Sequence, residues 1–169
     1  DLDGRVRAAA FAFLEEQTRV HGEVLPREIL SRGFVFNGQR VPLVGPQGIF
    51  KPAVNEMPLT ITPAPIVEGR ARPYADRVEE GGAILYRYRG TDPRHPDNAG
   101  LRLAMRRETP LIYVYGLVPG RYLPVWPVRA DKPRDGMSYV FSFYGDTGNN
   151  LVIAPSVQLS RKLSDTYYL

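Results

Sequence analysis

Apolar residues among the first twenty positions fall on one side of a helix. Val6, Ala9, Ala10, Phe13, Leu14 and Gln17 share a stripe at the 3.6-residue period, which predicts a helix from about Gly4 to Val20 with Asp3 as its N-cap. "LPREILSRG" predicts a short second helix, with Pro26 suited to its first position and Gly33 to its C-terminal exit. The period then drops to two. "FVFNGQRVPLV" predicts a hairpin turning at Asn37-Gly38, a dipeptide that tolerates the positive φ of a two-residue turn. Helix, helix and hairpin is a winged-helix-like order, and equally the order of a small packing appendage.

From Pro42 the pattern changes again. "VPLVGPQGIFKPAVNEMPLTITPAP" holds six prolines and predicts a loop followed by a short strand at Leu59–Thr62. "AILYRYR" alternates apolar or aromatic residues with arginine, as a strand does. After the polar loop "TDPRHPDN", Asn98 is expected to cap a helix, "AGLRLAMRR". Four strands follow at "LIYVYGLV", "RYLPVWPV", "MSYVFSFY" and "NLVIAP", separated by turn residues at Pro119-Gly120, Asp135-Gly136 and Gly145-Asp146. The final "LSRKLSDTYYL" reads as a terminal helix or arm. Short strands around one inserted helix indicate an α+β fold with a curved sheet or small barrel. The expected division is an N-terminal helical and hairpin extension at 1–41 and a β-rich domain at 42–169.

Composition narrows the chemistry. The 169 residues are enough for one domain with a real core. Cysteine is absent, which excludes disulfides, cysteine nucleophiles and thiolate metal sites, and agrees with a reducing cytoplasm. His21 and His95 are the only histidines. No apolar run has the length of a membrane span and no signal peptide is visible. The chain starts at Asp1 without a methionine, as a piece of a longer protein does. Net charge is +4, and 19 of the 22 basic residues are arginine, a balance compatible with phosphate binding. The sequence contains no P-loop, no Gly-x-Ser-x-Gly and no His-Glu-x-x-His. Glu15-Glu16 and Glu79-Glu80 are neighbours that point in different directions, as solvated charges do. The expectation is a chain with no catalytic centre, metal or cofactor of its own.

"RPYADRVEEGGAILYRYRG", from Arg72 to Gly90, carries three tyrosines, three acids and four arginines around a double glycine. Tyr86 and Tyr88 lie two apart on a strand and share a face, with Arg87 and Arg89 on the other. Folding back at Gly81-Gly82 would bring Tyr74 opposite Tyr86 or Tyr88. Two such rings form a slot for a planar group, and Asp76 at its rim would accept hydrogen bonds from an exocyclic amine such as that of cytosine. The same residues also fit a strand whose tyrosines pack in the core.

In order and spacing, "PYADRVEEGGAILYRYRG", the polar loop, "NAGLRLAM" and "TPLIYVYG" resemble the SRA (SET- and RING-associated, or YDG) domain. With "LPREILSRGFVFNGQRVPLVGPQGIFKPA", the chain resembles the front half of bacterial SRA–HNH modification-dependent restriction endonucleases. The resemblance covers roughly residues 42–143 and rests on order and spacing more than on an invariant string. It implies an SRA/PUA-like curved β-barrel with flanking helices, and a pocket for a 5-methylcytosine or 5-hydroxymethylcytosine flipped out of duplex DNA. Tyr74 and Tyr88 would stack on the base, with Tyr86 competing for the second place, and Asp76 would read its edge. The family commonly carries that acid three residues after the first tyrosine, where this chain has Arg77. Arg94 and His95, in the polar loop, would enter the gap the base leaves, while Arg70, Arg72 and Arg89 would contact DNA. The implied partners are duplex DNA with modified cytosine and an HNH nuclease domain outside this chain, with a second copy of the chain as a further candidate. A PUA-like RNA-binding module and a structural or dimerisation domain are the competing readings.

Overall fold

The computed structural model describes residues 1–46, 48–62, 77–78, 84–87, 94–107, 109–125, 142–146 and 150–154. Helix α1 (Leu2–His21) forms on the predicted stripe, with Val6, Ala10 and Leu14 fully buried. Thr18 continues that stripe because its hydroxyl donates to the Leu14 carbonyl at 2.8 Å, so no polar atom is stranded. The cap is Asp1, not Asp3: Asp1 Oδ1 accepts from the Gly4 N–H at 2.6 Å. Asp3 lies one step inside the helix and is buried.

Strand β1 (Leu25–Pro26) leads into α2 (Arg27–Arg32), which ends at Gly33 as expected. Gly33 has φ 65°, and a Cβ there would sit 1.9 Å from the Val41 carbonyl oxygen. Both facts require glycine. β2 (Phe34–Phe36) and β3 (Gln39–Val41) pair as the predicted hairpin, with φ of 49° at Asn37 and 78° at Gly38. The remaining elements are β4 (Ile49–Phe50), β5 (Thr60–Ile61), β6 (Arg77–Val78), β7 (Ile84–Arg87), α3 (Pro96–Arg106), β8 (Ile112–Val118), β9 (Arg121–Val125), β10 (Ser142–Asp146) and β11 (Asn150–Ala154).

The strands make a five-stranded sheet in the order β1-β9-β8-β5-β4, a four-stranded sheet in the order β10-β11-β7-β6, and the β2–β3 hairpin. The four-stranded sheet is antiparallel throughout. The five-stranded sheet is mixed, because β5 and β8 run parallel. A parallel pair needs a long crossover, and the intervening chain supplies it, including β6, β7 and α3. The fold is therefore α+β, as expected. The expected closed barrel is not what the described strands form: the five-stranded sheet ends at β1 and β4, two-residue strands that each pair on one side only.

Val6, Ala10 and Leu14 of α1 share one apolar core with Leu25, Leu30, Phe34, Val41, Leu43, Val44 and Leu59, and with Ile112 and Val114 of β8. Phe13 meets Phe34 with ring centroids 5.8 Å apart. Tyr113, on the other face of β8, is also buried, so the centre of the sheet is covered on both sides. The N-terminal helices and hairpin thus pack on the same strand that lies at the centre of the five-stranded sheet.

Candidate functional site

Arg77 pairs with Leu85 and Val78 with Ile84, so β6 and β7 form an antiparallel pair across residues 79–83. Those five residues include the Gly81-Gly82 pair at which the chain was expected to fold back. β7 is an interior strand, bonded to β11 on its other side, where Tyr86 stands opposite Leu151. An antiparallel pair places the start of one strand beside the end of the other, so Arg77 and Arg87 lie at the same end of this ladder. The chain leading into that end carries Tyr74 and Asp76, and the chain leaving it carries Tyr88 and Arg89. Tyr74, Asp76, Tyr88, Arg70, Arg72 and Arg89 themselves lie outside the described residues.

The two expected loop residues stand at the start of α3. This helix begins at Pro96, two residues ahead of the expected cap Asn98, which is instead buried in the first turn. His95 performs the capping. Its carbonyl accepts from the Ala99 N–H at 2.9 Å, and its ring Nδ1 accepts from the Asp97 N–H at 3.1 Å. The His95 side chain is about one-third exposed, and Arg94 before it is exposed. The residue expected to enter a duplex therefore also ends the loop by fastening it to the helix.

Two clamps fix α3 and α1 to the same segment, residues 55–58. On the α3 side, Gly100 lies against Pro58, where an added Cβ would be 2.9 Å from the ring. Arg107 pairs with Glu56 at 2.8 Å, and the Thr109 hydroxyl donates to Met57 Sδ at 3.4 Å. On the α1 side, Asp3 Oδ2 accepts from the Glu56 and Met57 N–H groups, both at 3.0 Å. Its Oδ1 accepts from Arg7 Nη2 at 2.8 Å and Nε at 3.1 Å. Arg7 also donates to the carbonyls of Pro58 and Pro110 at 3.0 and 2.8 Å. Burial pushes the Asp3 carboxyl up, but the Met57 N–H, the Arg7 hydrogen bonds and charge, and the Glu56 N–H outweigh it and hold the group below the usual carboxylate range. Asn55, beside this clamp, is buried, and neither of its side-chain amide atoms has a hydrogen-bond partner among the described residues.

Sequence reasoning took Asp3 for a cap and passed over Arg7. The available signal was the i, i+4 spacing of an acid and an arginine in line with the buried stripe of α1. A charged pair on the inward face of a helix must find further polar partners there. Among the described residues no helix is long and apolar enough to cross a membrane. No known protein family, curated protein or solved structure matches this chain significantly.

Proposed function

We propose that this chain reads modified cytosine in double-stranded DNA, on an SRA/PUA-like scaffold, as the targeting part of a modification-dependent HNH endonuclease. The observation that carries the proposal is the β6–β7 register, Arg77 with Leu85 and Val78 with Ile84. The proposal continues that count past Arg77. In step, it sets Asp76 against Tyr86 and Tyr74 against Tyr88. Residues two apart on a strand share a face, so all four would fall on one side of the hairpin.

The count also separates the two candidate partners of Tyr74. Directly opposed side chains in a ladder stand about 4.5–5.5 Å apart at Cβ, and diagonal ones about 7–8 Å. A ring held at contact distance on both faces needs a gap of about 7 Å. On that count Tyr74 and Tyr86, the diagonal pair, would match that gap without further adjustment. Tyr74 and Tyr88 match it if the strands splay beyond the ladder. Asp76 would lie at the rim, where a carboxylate accepts from the cytosine amine and is repelled by the thymine carbonyl.

Extrusion of a base costs a few kcal/mol, and stacking returns about 1–3 kcal/mol. A buried methyl adds about 0.8 kcal/mol, which is about a fourfold preference. Equilibrium mobility shifts test the proposal with one duplex in four forms: unmodified, 5-methylcytosine, 5-hydroxymethylcytosine and RNA. The expected result is at least about fourfold tighter binding of a modified DNA form, abolished by Tyr74→Ala and by Tyr86→Ala. Loss on Tyr88→Ala in place of Tyr86→Ala selects the splayed arrangement. Tighter binding of RNA, or equal binding of all four forms, overturns the reading.

A further inference from the structure

We infer that the exposed arginines around α2 form a second DNA contact, a phosphate-binding surface apart from the base-reading hairpin. The inference rests on the reading of this chain as a duplex-DNA binder. Segments 23–45 and 112–125 carry four arginines, Arg27, Arg32, Arg40 and Arg121, against two carboxylates, Glu23 and Glu28. All four are exposed.

Backbone and side-chain contacts gather them. Arg121 stands opposite Pro26 in the β1–β9 pair, one residue from Arg27. The Arg27 N–H donates to the Gly120 carbonyl at 3.0 Å, and its guanidinium reaches the Tyr122 hydroxyl at 3.4 Å and the Gly45 carbonyl at 3.5 Å. Arg40 donates to the Arg32 carbonyl at 3.0 Å. Arg27 and Arg32 are the two ends of α2, a helix of six residues and so about 9 Å long.

The other arginines with ion pairs show what is different here. Arg7, Arg19 and Arg107 each hold a carboxylate, at 2.8, 2.6 and 2.8 Å. None of the four around α2 is ion-paired with a described carboxylate, so their charge is not cancelled within the described residues. Arg40 and Arg27 spend their hydrogen bonds on neutral oxygens, and a guanidinium has five N–H groups to offer. Duplex DNA carries one charge per about 1.7 Å of axis with both strands counted, so about 9 Å of duplex holds about five phosphates on its two strands. Four guanidiniums around α2 with no ion pair among the described residues suit a phosphate backbone. The exposed hairpin tip, Asn37 to Gln39, adds polar groups beside Arg40.

Each phosphate contact lowers the slope of log K against log salt by about 0.9. The experiment uses the full chain carrying Arg27→Gln, Arg32→Gln and Arg121→Gln together, and leaves Arg40 on the α2 carbonyl. Binding to unmodified duplex is measured across salt, beside the ratio of modified to unmodified affinity. The expected result is a slope smaller by about 0.9 per arginine removed, with the ratio unchanged, while the triple lysine variant keeps the slope. A triple glutamine variant with wild-type slope overturns the inference, as does a loss confined to duplex RNA. A reduced slope in a protein that never distinguished modified from unmodified DNA supports the arginine surface and sinks the base-reading proposal alone. Should the triple variant fail to fold, the three single variants carry the test, each expected to lose about 0.9.

Discussion

Arg7 makes five hydrogen bonds, to Asp3 twice and to the carbonyls of Met57, Pro58 and Pro110. A guanidinium has five N–H groups, so burial leaves none of them without an acceptor. Asp3 is equally committed, to Arg7 and to two backbone N–H groups. Removing either partner alone strands the other, a loss of about 3–5 kcal/mol. An apolar exchange of both would still leave the Glu56 and Met57 N–H groups unpaired. The Asp3 carboxyl is held below its ordinary value, so its ionised form contributes stability above the unfolded-state pKa of about 3.9. That contribution falls away as pH drops through the lower, folded-state value. Urea midpoints measured from pH 6 downward are therefore expected to fall for the wild type and to fall less steeply for Asp3→Asn.

At the level of elements, the first turn of α3 is capped by one imidazole. His95 fills the position that serine, threonine, asparagine and aspartate usually hold, and it does so with a ring nitrogen in place of an oxygen. His95→Ala is expected to cost about 1 kcal/mol in urea unfolding, whereas His95→Asn retains a capping oxygen and stays near wild type. The same two variants report on DNA. If His95 enters the duplex as well, the asparagine variant binds more weakly despite its wild-type stability. The β2–β3 hairpin is the opposite case, because nothing distant is needed to form it. Asn37-Gly38 supplies the turn, and Gly33 supplies the close passage of α2 beneath Val41 and Pro42.

For the molecule as a whole, the N-terminal helices and hairpin share buried apolar residues with the strands that follow residue 41. Val6, Leu14, Leu25, Leu30, Phe34 and Val41 share a core with Leu43, Leu59, Ile112 and Val114. Each such side chain contributes about 1.5–3 kcal/mol on burial. Six of them amount to about 9–18 kcal/mol, as large as the usual total stability of about 5–15 kcal/mol. A chain beginning at residue 42 is therefore expected to show no cooperative urea transition by circular dichroism. The full chain is expected to unfold its N-terminal helices together with the five-stranded sheet.

The helices α1 and α2, the hairpin and the strands β7, β8, β9 and β11 were legible from local pattern, because side-chain direction repeats every 3.6 residues in a helix and every two in a strand; β10 instead runs on through Gly145-Asp146, where a turn was expected, because both residues pair with β11. Turn positions were legible for the same local reason: Asn37, Gly38, Gly33 and Gly120 adopt positive φ. Other features needed the tertiary structure. The acceptors of Arg7 lie 50, 51 and 103 residues away. The parallel pairing of β5 with β8 joins segments separated by β6, β7 and α3. Long-range pairing is decided by which distant surfaces fill one core and satisfy each other's polar groups, and no local periodicity records that choice.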